Sequence, residues 1–260
     1  MKHETLSVGV IGGGAVGCAV ASFFDGAPVY DKHKEMDPVE AVLGQQVIFV
    51  CVPTPYDSGF DRSMLDDVFS CVGSAGTEKI IVIKSTTLPG TTDYFQNQYP
   101  RFKVLFNPEF LTERTAEYDF KHPDKQLVGY TDASKDVAQT VLDMLPAAPF
   151  KKLLFARAAE LIKYAINTYY ATKVIYGNLL YDLSEALELD YEEVRTAFVS
   201  DKRIMDSHFD VMHGGYRGYG GKCLPKDVRA LRDFAKARGV DASLIEAIEA
   251  LNERYQKNST

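Results

Sequence analysis

The stretch LSVGVIGGGAVG, residues 6–17, decides how this chain is read. A short β-branched apolar run goes straight into a glycine cluster, and CAVASFF then takes up a helical pattern. The order is therefore buried strand, tight turn, helix. Gly12, Gly14 and Gly17 fit G-x-G-x-x-G in that setting, with Val16 inside the repeat. Such glycines let the backbone approach a pyrophosphate, which the N-terminus of the following helix stabilises with free N–H groups and its dipole. A second strand, APVYD, ends on Asp31, 19 residues after Gly12, where a carboxylate accepts from a ribose hydroxyl. The pattern predicts a dinucleotide site. Asp31 favours NAD over NADP because it would repel a 2′-phosphate, whereas Lys32 and Lys34 weigh the other way.

Moving outward, VIFVCV (47–52), IIVIKS (80–85) and KVLFN (103–107) read as further short strands, separated by segments long enough for helices. This alternation predicts an α/β fold: a Rossmann-like, doubly wound parallel sheet covered on both faces. The pattern changes near residue 157. There RAAELIKYAINTYYATKVIYGNLLYDLSEALE keeps the helical period for about thirty residues, without proline and with only Gly177 inside it. A helix roughly 45 Å long at 1.5 Å per residue is expected to bridge domains or pack against a partner. The expected division is an NAD-binding domain over 1–155 and a mostly helical dimerisation or substrate domain over 156–260. Asp227 is expected to cap a helix ending before Gly239, with another over 242–256 before the polar tail KNST.

Composition narrows the function. A formal charge of −7 without a long basic run argues against nucleic acid. Four cysteines, at 18, 51, 71 and 223, show no CxxC spacing, and five histidines are scattered, so no metal site or disulfide framework is predicted. A reducing, cytoplasmic setting fits. MKHETLSV shows no leader pattern, and VIFVCV is far short of the ~20 residues of a membrane helix, so no membrane partner is expected.

Four further stretches carry candidate chemistry. In GYGGKCLPKD (218–227), Cys223 lies near Lys222 and Lys226, charges that favour a thiolate; the alternative is a small space-filler. CVPTP (51–55) and KSTTLPGTT (84–92) follow strands, where ligands of such sheets bind, although turn chemistry alone accounts for them. In FNPEFLTERTAEYD (106–119), Glu109 and Glu113 would share a face if the segment is helical, and a solvated helix start is the plainer reading. Lys163 and Asn167 are four apart beside Leu161, Ile162 and Ile166. A solvated face is the default for a lysine; the functional reading is a partly buried pair that donates to a reacting oxygen and holds a water.

Together these motifs resemble the UDP-glucose/GDP-mannose dehydrogenases, which oxidise the C6 alcohol of a nucleotide sugar to a carboxylate. GGGAVG with Asp31, CVPTP, KSTTLPGTT, FNPEFLTE, the Lys163 and Asn167 pair and GYGGKCLPKD occur in the family's order, from residue 8 to about 252. The resemblance implies NAD as cofactor, held by Gly12, Gly14, Val16, Gly17, Asp31, Thr54, Thr86, Glu113 and Lys226. It implies Cys223 as nucleophile, with Lys163, Asn167 and Asp227 positioning a water and stabilising oxyanions, and Glu109 assisting proton transfer or thioester hydrolysis. Glu109, Lys163, Asn167, Arg203 and Gly220 would contact the nucleotide sugar. Arg203 would reach a neighbouring subunit's substrate, which implies a homodimer.

Family members normally continue into a second doubly wound domain that grips the nucleotide, and this chain is expected to lack it. Its connection between Asp31 and CVPTP is short, the loop before Tyr219 is long, and Arg114 stands where glycine is common. Two other readings stay open. A single-step β-hydroxyacid-type dehydrogenase shares the lysine and asparagine spacing, and a catalytically idle relative would serve only in NAD binding or dimerisation.

Overall fold

The computed structural model describes residues 6–257. MKHET and the tail beyond Lys257, and with them the expected leaderless start and polar end, lie outside the described residues. The chain divides into two compact units, Met1–Lys163 and Tyr164–Thr260.

In the first unit β1 (Val8–Ile11) leads into α1 (Ala15–Phe23), and β2 (Val29–Tyr30), α2 (Val39–Leu43) and β3 (Val47–Val50) follow. Next come α3 (Ser63–Ser74), β4 (Ile80–Ile83), α4 (Thr91–Gln98), β5 (Lys103–Phe106) and a 3₁₀ turn, Glu113–Thr115. The unit continues through α5 (Ala116–Lys121), β6 (Lys125–Tyr130), α6 (Lys135–Met144), β7 (Phe150–Phe155) and the start of α7 (Ala156–Ala186). One seven-stranded sheet has the order β2-β1-β3-β4-β5-β6-β7. Alternate residues of each strand feed opposite faces, as strand geometry requires. Val10, Phe49, Val82 and Leu105 join one apolar cluster with Val20, Phe120 and Val141 of the helices. Ile11, Ile48, Ile81 and Val104 join another with Leu65, Phe69 and Phe95. Both faces are covered, which explains why the strands read as continuous apolar runs.

Two features depart from the expected parallel sheet. β6 runs antiparallel to β5, and β7 then pairs parallel with β6. Neither strand was legible: KQLVGY opens on a lysine and a buried glutamine, and the edge strand FKKLLF exposes its lysines, a feature that keeps edges from pairing further. At the other edge APVYD contributes only Val29 and Tyr30 to the ladder.

The chain leaves β1 toward β2 on one side and resumes at β3 on the other, so β1 and β3 form the switch point where ligands of such sheets bind. Here the ends of the two strands meet tightly. Gly12 has φ +107°, and a Cβ on it would lie 2.5 Å from the carbonyl oxygen of Cys51.

The second unit holds the rest of α7 with α8 (Tyr191–Val199), α9 (Leu224–Ala237) and α10 (Ser243–Lys257). Ala171, Ile175, Tyr219, Val228, Ile248 and Tyr255 form its core. α7 has 31 residues, about 45 Å of helix. Cys223, rather than Asp227, stands at the N-cap of α9; Asp227 lies within the first turn and is fully buried. The proline of CLPKD explains the shift, because Pro225 suits the first turn, where no N–H is needed. No helix among the described residues is long and apolar enough to cross a membrane.

Candidate functional site

At Gly12 and Gly17 the glycine turn is backbone packed on backbone. A Cβ on Gly17 would sit 1.8 Å from Gly12 O, so α1 can start this close to β1 only with glycine there. Gly14, at the N-cap of α1, has extended backbone, and nothing lies within 4 Å of where its Cβ would be. That open volume at the first free N–H groups of a helix fits the pyrophosphate of NAD. Val16 follows on α1 and is half-buried. Asp31 Oδ2 accepts from Gly13 N–H at 2.7 Å and Oδ1 from His33 N–H at 2.9 Å. Partial burial pushes its carboxyl up, but those two bonds with the Lys34 charge outweigh it and hold it below the ordinary carboxylate value. Asp31 is thus an oriented anion beside the turn, suited to ribose hydroxyls. Lys34 also donates to Gly13 O.

At the ends of β3 and β4 the hydroxyl of buried Thr54 donates to Thr86 O at 2.7 Å, which ties the two predicted cofactor loops together. Four hydroxyls of KSTTLPGTT are committed elsewhere, Ser85 donating to Val50 O, Thr91 to Leu88 O, and Thr87 and Thr92 to Glu160. Glu160, fully buried on α7, accepts from Thr87 and Thr92 hydroxyls and from the N–H groups of Gly90 and Thr92, capping α4 from outside.

A second cluster surrounds Lys163, which is 6% exposed. Its Nζ donates to Glu109 Oε1 at 2.9 Å and to Glu109 O at 2.7 Å. Burial raises the Glu109 carboxyl, yet the Lys163 charge and hydrogen bond, the Leu111 N–H and Lys84 together bring it below the ordinary value. Glu109 and Glu113 do not share a helical face: residues 107–112 are irregular, and exposed Glu113 opens the 3₁₀ turn. Pro108 disfavours helix at Asn107, and the Lys163 bonds hold Glu109 in place. Lys84, unremarked in the sequence, is 3% exposed and donates to Asn107 Oδ1 at 2.6 Å. Burial depresses its pKa to about 8, and burial pushes the neighbouring Cys51 thiol up to about 12. Only the burial of an ammonium beside neutral acceptors reveals Lys84, and no sequence spacing encodes that.

In the second unit Asn167 Nδ2 donates to Asp227 Oδ2 at 2.5 Å, and Lys226 Nζ to Asp227 Oδ1 at 2.6 Å. Lys226 is thus ion-paired with Asp227. Cys223 is exposed, forms no disulfide and stands at the N-cap of α9, whose dipole favours a thiolate. The preceding turn is pinned by Asn252, which accepts from Tyr219 N–H at 2.6 Å and donates to Tyr219 O at 3.0 Å. Gly220 is packed on Tyr216, whose hydroxyl would be 2.3 Å from a Cβ there. Arg203 is 88% exposed and ion-paired with Asp201.

Fold and turn define a dinucleotide-binding α/β protein. The model of the UDP-glucose/GDP-mannose dehydrogenase family, NAD binding domain, matches residues 32–144, and the model of the family's central domain matches 157–254. The chain belongs to the UDP-glucose/GDP-mannose dehydrogenase family, and NAD is the cofactor of its first unit. It is 35% identical over 233 residues to a UDP-glucose 6-dehydrogenase of Pseudomonas aeruginosa, covering 84% of this chain and 51% of the relative. It is 32% identical over 240 residues to a GDP-mannose 6-dehydrogenase of Pseudomonas putida, covering 86% of this chain and 54% of the relative. The structure of a UDP-glucose dehydrogenase from Pyrobaculum islandicum superposes with a TM-score of 0.85 at 29% identity, over 97% of this chain and 69% of that one. The chain thus spans about half the length of the curated relatives it matches.

Proposed function

We propose that the chain is an NAD-dependent nucleotide-sugar 6-dehydrogenase that oxidises the C6 alcohol, with UDP-glucose the leading substrate, to a uronic acid. The observation that carries this reading is on α7: one turn apart, Lys163 and Asn167 are both buried, and each is hydrogen-bonded to a carboxylate, Glu109 and Asp227. A buried ammonium is suited to stabilising an alkoxide, and buried carboxylates are suited to moving protons.

NAD supplies a hydride acceptor for each of the two oxidations. In the first, the C6 alcohol loses a hydride and its hydroxyl proton and becomes an aldehyde. Cys223, as thiolate, adds to the aldehyde carbon to give a thiohemiacetal, whose C–H is the second hydride; its loss leaves a thioester. Water held by Asn167 and Asp227 attacks the thioester carbonyl, Glu109 or Asp227 takes its proton, and the thiolate leaves with the acid released. Lys163 donates to the developing oxyanion at each stage. Gly12, Gly14, Val16, Gly17, Asp31, Thr54, Thr86, Glu113 and Lys226 are the proposed cofactor contacts, and Glu109, Lys163, Asn167, Arg203 and Gly220 the substrate contacts.

The domain division near residue 155, a homodimer and a cytoplasmic setting belong to the same proposal. NADH formation is to be measured against UDP-glucose, GDP-mannose and their N-acetylated analogues. Two NADH per uronic acid, with Cys223→Ser halted before acid formation, supports the reading. One NADH per turnover with Cys223 dispensable replaces it with a single-step β-hydroxyacid-type dehydrogenase, and NAD binding without turnover on the whole panel favours an idle relative.

A further inference from the structure

The loop between α8 and α9 holds two non-glycine residues in left-handed backbone only three positions apart, Met205 at φ +61° and His208 at φ +74°. Such conformations persist where surrounding contacts over-determine them, and they gather at ligand-binding elements. The contacts here come chiefly from one side chain. Lys173, in the middle of α7 and 6% exposed, sends its Nζ to Ile204 O and Met205 O, each at 3.3 Å, and to Ser207 Oγ at 3.0 Å. Its ammonium also lies 4.8 Å from the Phe209 ring centroid.

Other groups clamp the flanks. His208 stacks on Tyr170 with centroids 4.1 Å apart, Tyr191 donates to Phe209 O at 2.7 Å, and Arg195 reaches Asp206 at 2.5 Å. What this rigid segment offers outward is Arg203, whose guanidinium is oriented by Asp201 through Nε at 2.9 Å and is otherwise open to solvent. The hydrogen-bond acceptors of Lys173 are all neutral and burial outweighs the attraction of the Asp206 carboxylate, so this lysine is unfavourable for the fold alone, since a methionine would fill the same volume without desolvating a charge.

We propose that Lys173 is a positioning residue, fixing the strained Ile204–His208 segment from beneath so that Arg203 is presented, preorganised, to a nucleotide sugar. The presentation half of this rests on the function proposed above; the bracing half does not. Three acceptors on one ammonium remove the freedom the loop would otherwise lose on binding, which is how preorganisation raises affinity.

The test compares the full chain with its Lys173→Met, Lys173→Arg and Arg203→Ala variants in two measurements. Amide hydrogen exchange reads peptides covering 201–208, with 243–257 as an internal control. Bracing predicts that Lys173→Met speeds exchange at 201–208 by about tenfold or more with the control unmoved, while Lys173→Arg stays close to the parent. Unchanged exchange at 201–208 overturns the brace whatever the activity. If the control also speeds up, Lys173→Gln is read on the same two peptides: faster exchange at 201–208 alone supports the brace, and parental exchange there overturns it.

In steady-state kinetics, presentation predicts that Lys173→Met raises KM for UDP-glucose about as much as Arg203→Ala, by about tenfold, with little change in kcat or in KM for NAD. The double variant should be no worse than Arg203→Ala, because both changes remove one device. Additive losses, or an unmoved KM, overturn presentation. A parent protein inert on every nucleotide sugar overturns the functional reading and presentation together, while faster exchange in Lys173→Met would still support the brace.

Discussion

The chain contains two glycine-rich turns that open helices, GGGAVG before α1 and GYGGKC before α9, and they are built on opposite principles. In the first, glycine is required because backbone meets backbone: Gly12 against Cys51 O and Gly17 against Gly12 O. The volume at the Cβ position of Gly14 is open, so the turn suits a ligand that brings its own charge. In the second, glycine makes room for side chains, with Gly218 against Asn252 and Gly220 against Tyr216. The helix there begins on a cysteine and a buried aspartate. The same local device, a helix N-terminus, thus serves in the proposed chemistry a bound anion in one case and a reactive sulfur in the other.

The largest effect expected from this contrast is at Asp227. Replacing it by alanine removes the acceptor shared by Asn167 and Lys226 and leaves a buried amide unpaired. Because Lys226 is partly exposed and can turn to water, the cost is placed at the low end for a broken buried pair, about 3 kcal/mol. The midpoint of urea unfolding checks this, and a loss below about 1 kcal/mol would mean that side chains do not hold the second turn. For the first turn the corresponding change is Gly12→Ala, which adds a Cβ 2.5 Å from Cys51 O at φ +107°. Left-handed strain plus overpacking predicts a loss of about 2 to 3 kcal/mol, and NAD binding should vanish with it. NADH fluorescence titration at a temperature where the variant is folded separates the two effects.

Legibility in the sequence followed the same divide. GGGAVG with Asp31 could be read because a backbone site must use fixed spacing of glycines, and the strand, turn and helix it predicts stand at the switch point of the sheet. KCLPKD was read as chemistry, but the partners were not. Lys226 pairs with Asp227, Asp227 is not the cap, and Asn252, which pins the turn from α10, carries no sequence signal at all. Glu160 and Lys84 were invisible for the same reason: each is a charged residue buried by long-range packing, and a chain position does not record burial. β6 and β7 were missed because their lysines mask the apolar pattern.

Lys84 provides a pH test of the strand ends flanking the first turn. Its folded pKa is depressed to about 8 by burial, against about 10.4 for a lysine in the unfolded chain. Between those values the unfolded chain binds more protons, so this group's contribution to stability rises with pH. Below pH 8 both states are protonated, and the full burial penalty stands. Relative to Lys84→Met, whose other titrating groups are the same, the parent protein should gain about 2 kcal/mol between pH 8 and 10.4. A difference independent of pH across that window would mean that the ammonium is solvated in the native state.

The smallest effect on stability comes from Gly14→Ser, and it separates folding from binding most cleanly. Gly14 has φ −81° and ψ −175°, which serine adopts without strain, and there is open space around its Cβ position. It is also the N-cap of α1, where a serine hydroxyl can accept from a free N–H of the first turn. The fold therefore gains a few tenths of a kcal/mol over glycine. The same hydroxyl occupies the N–H groups and volume that a pyrophosphate needs, so NAD affinity should fall by about tenfold or more while the unfolding midpoint rises slightly. A variant that is stabilised and still binds NAD normally would show that the open volume at Gly14 is not where the pyrophosphate lies. At the start of α9 the contrast is sharpest at Asp227, which is both the buried acceptor of Asn167 and Lys226 and a group proposed to react, so its substitution moves folding and chemistry together.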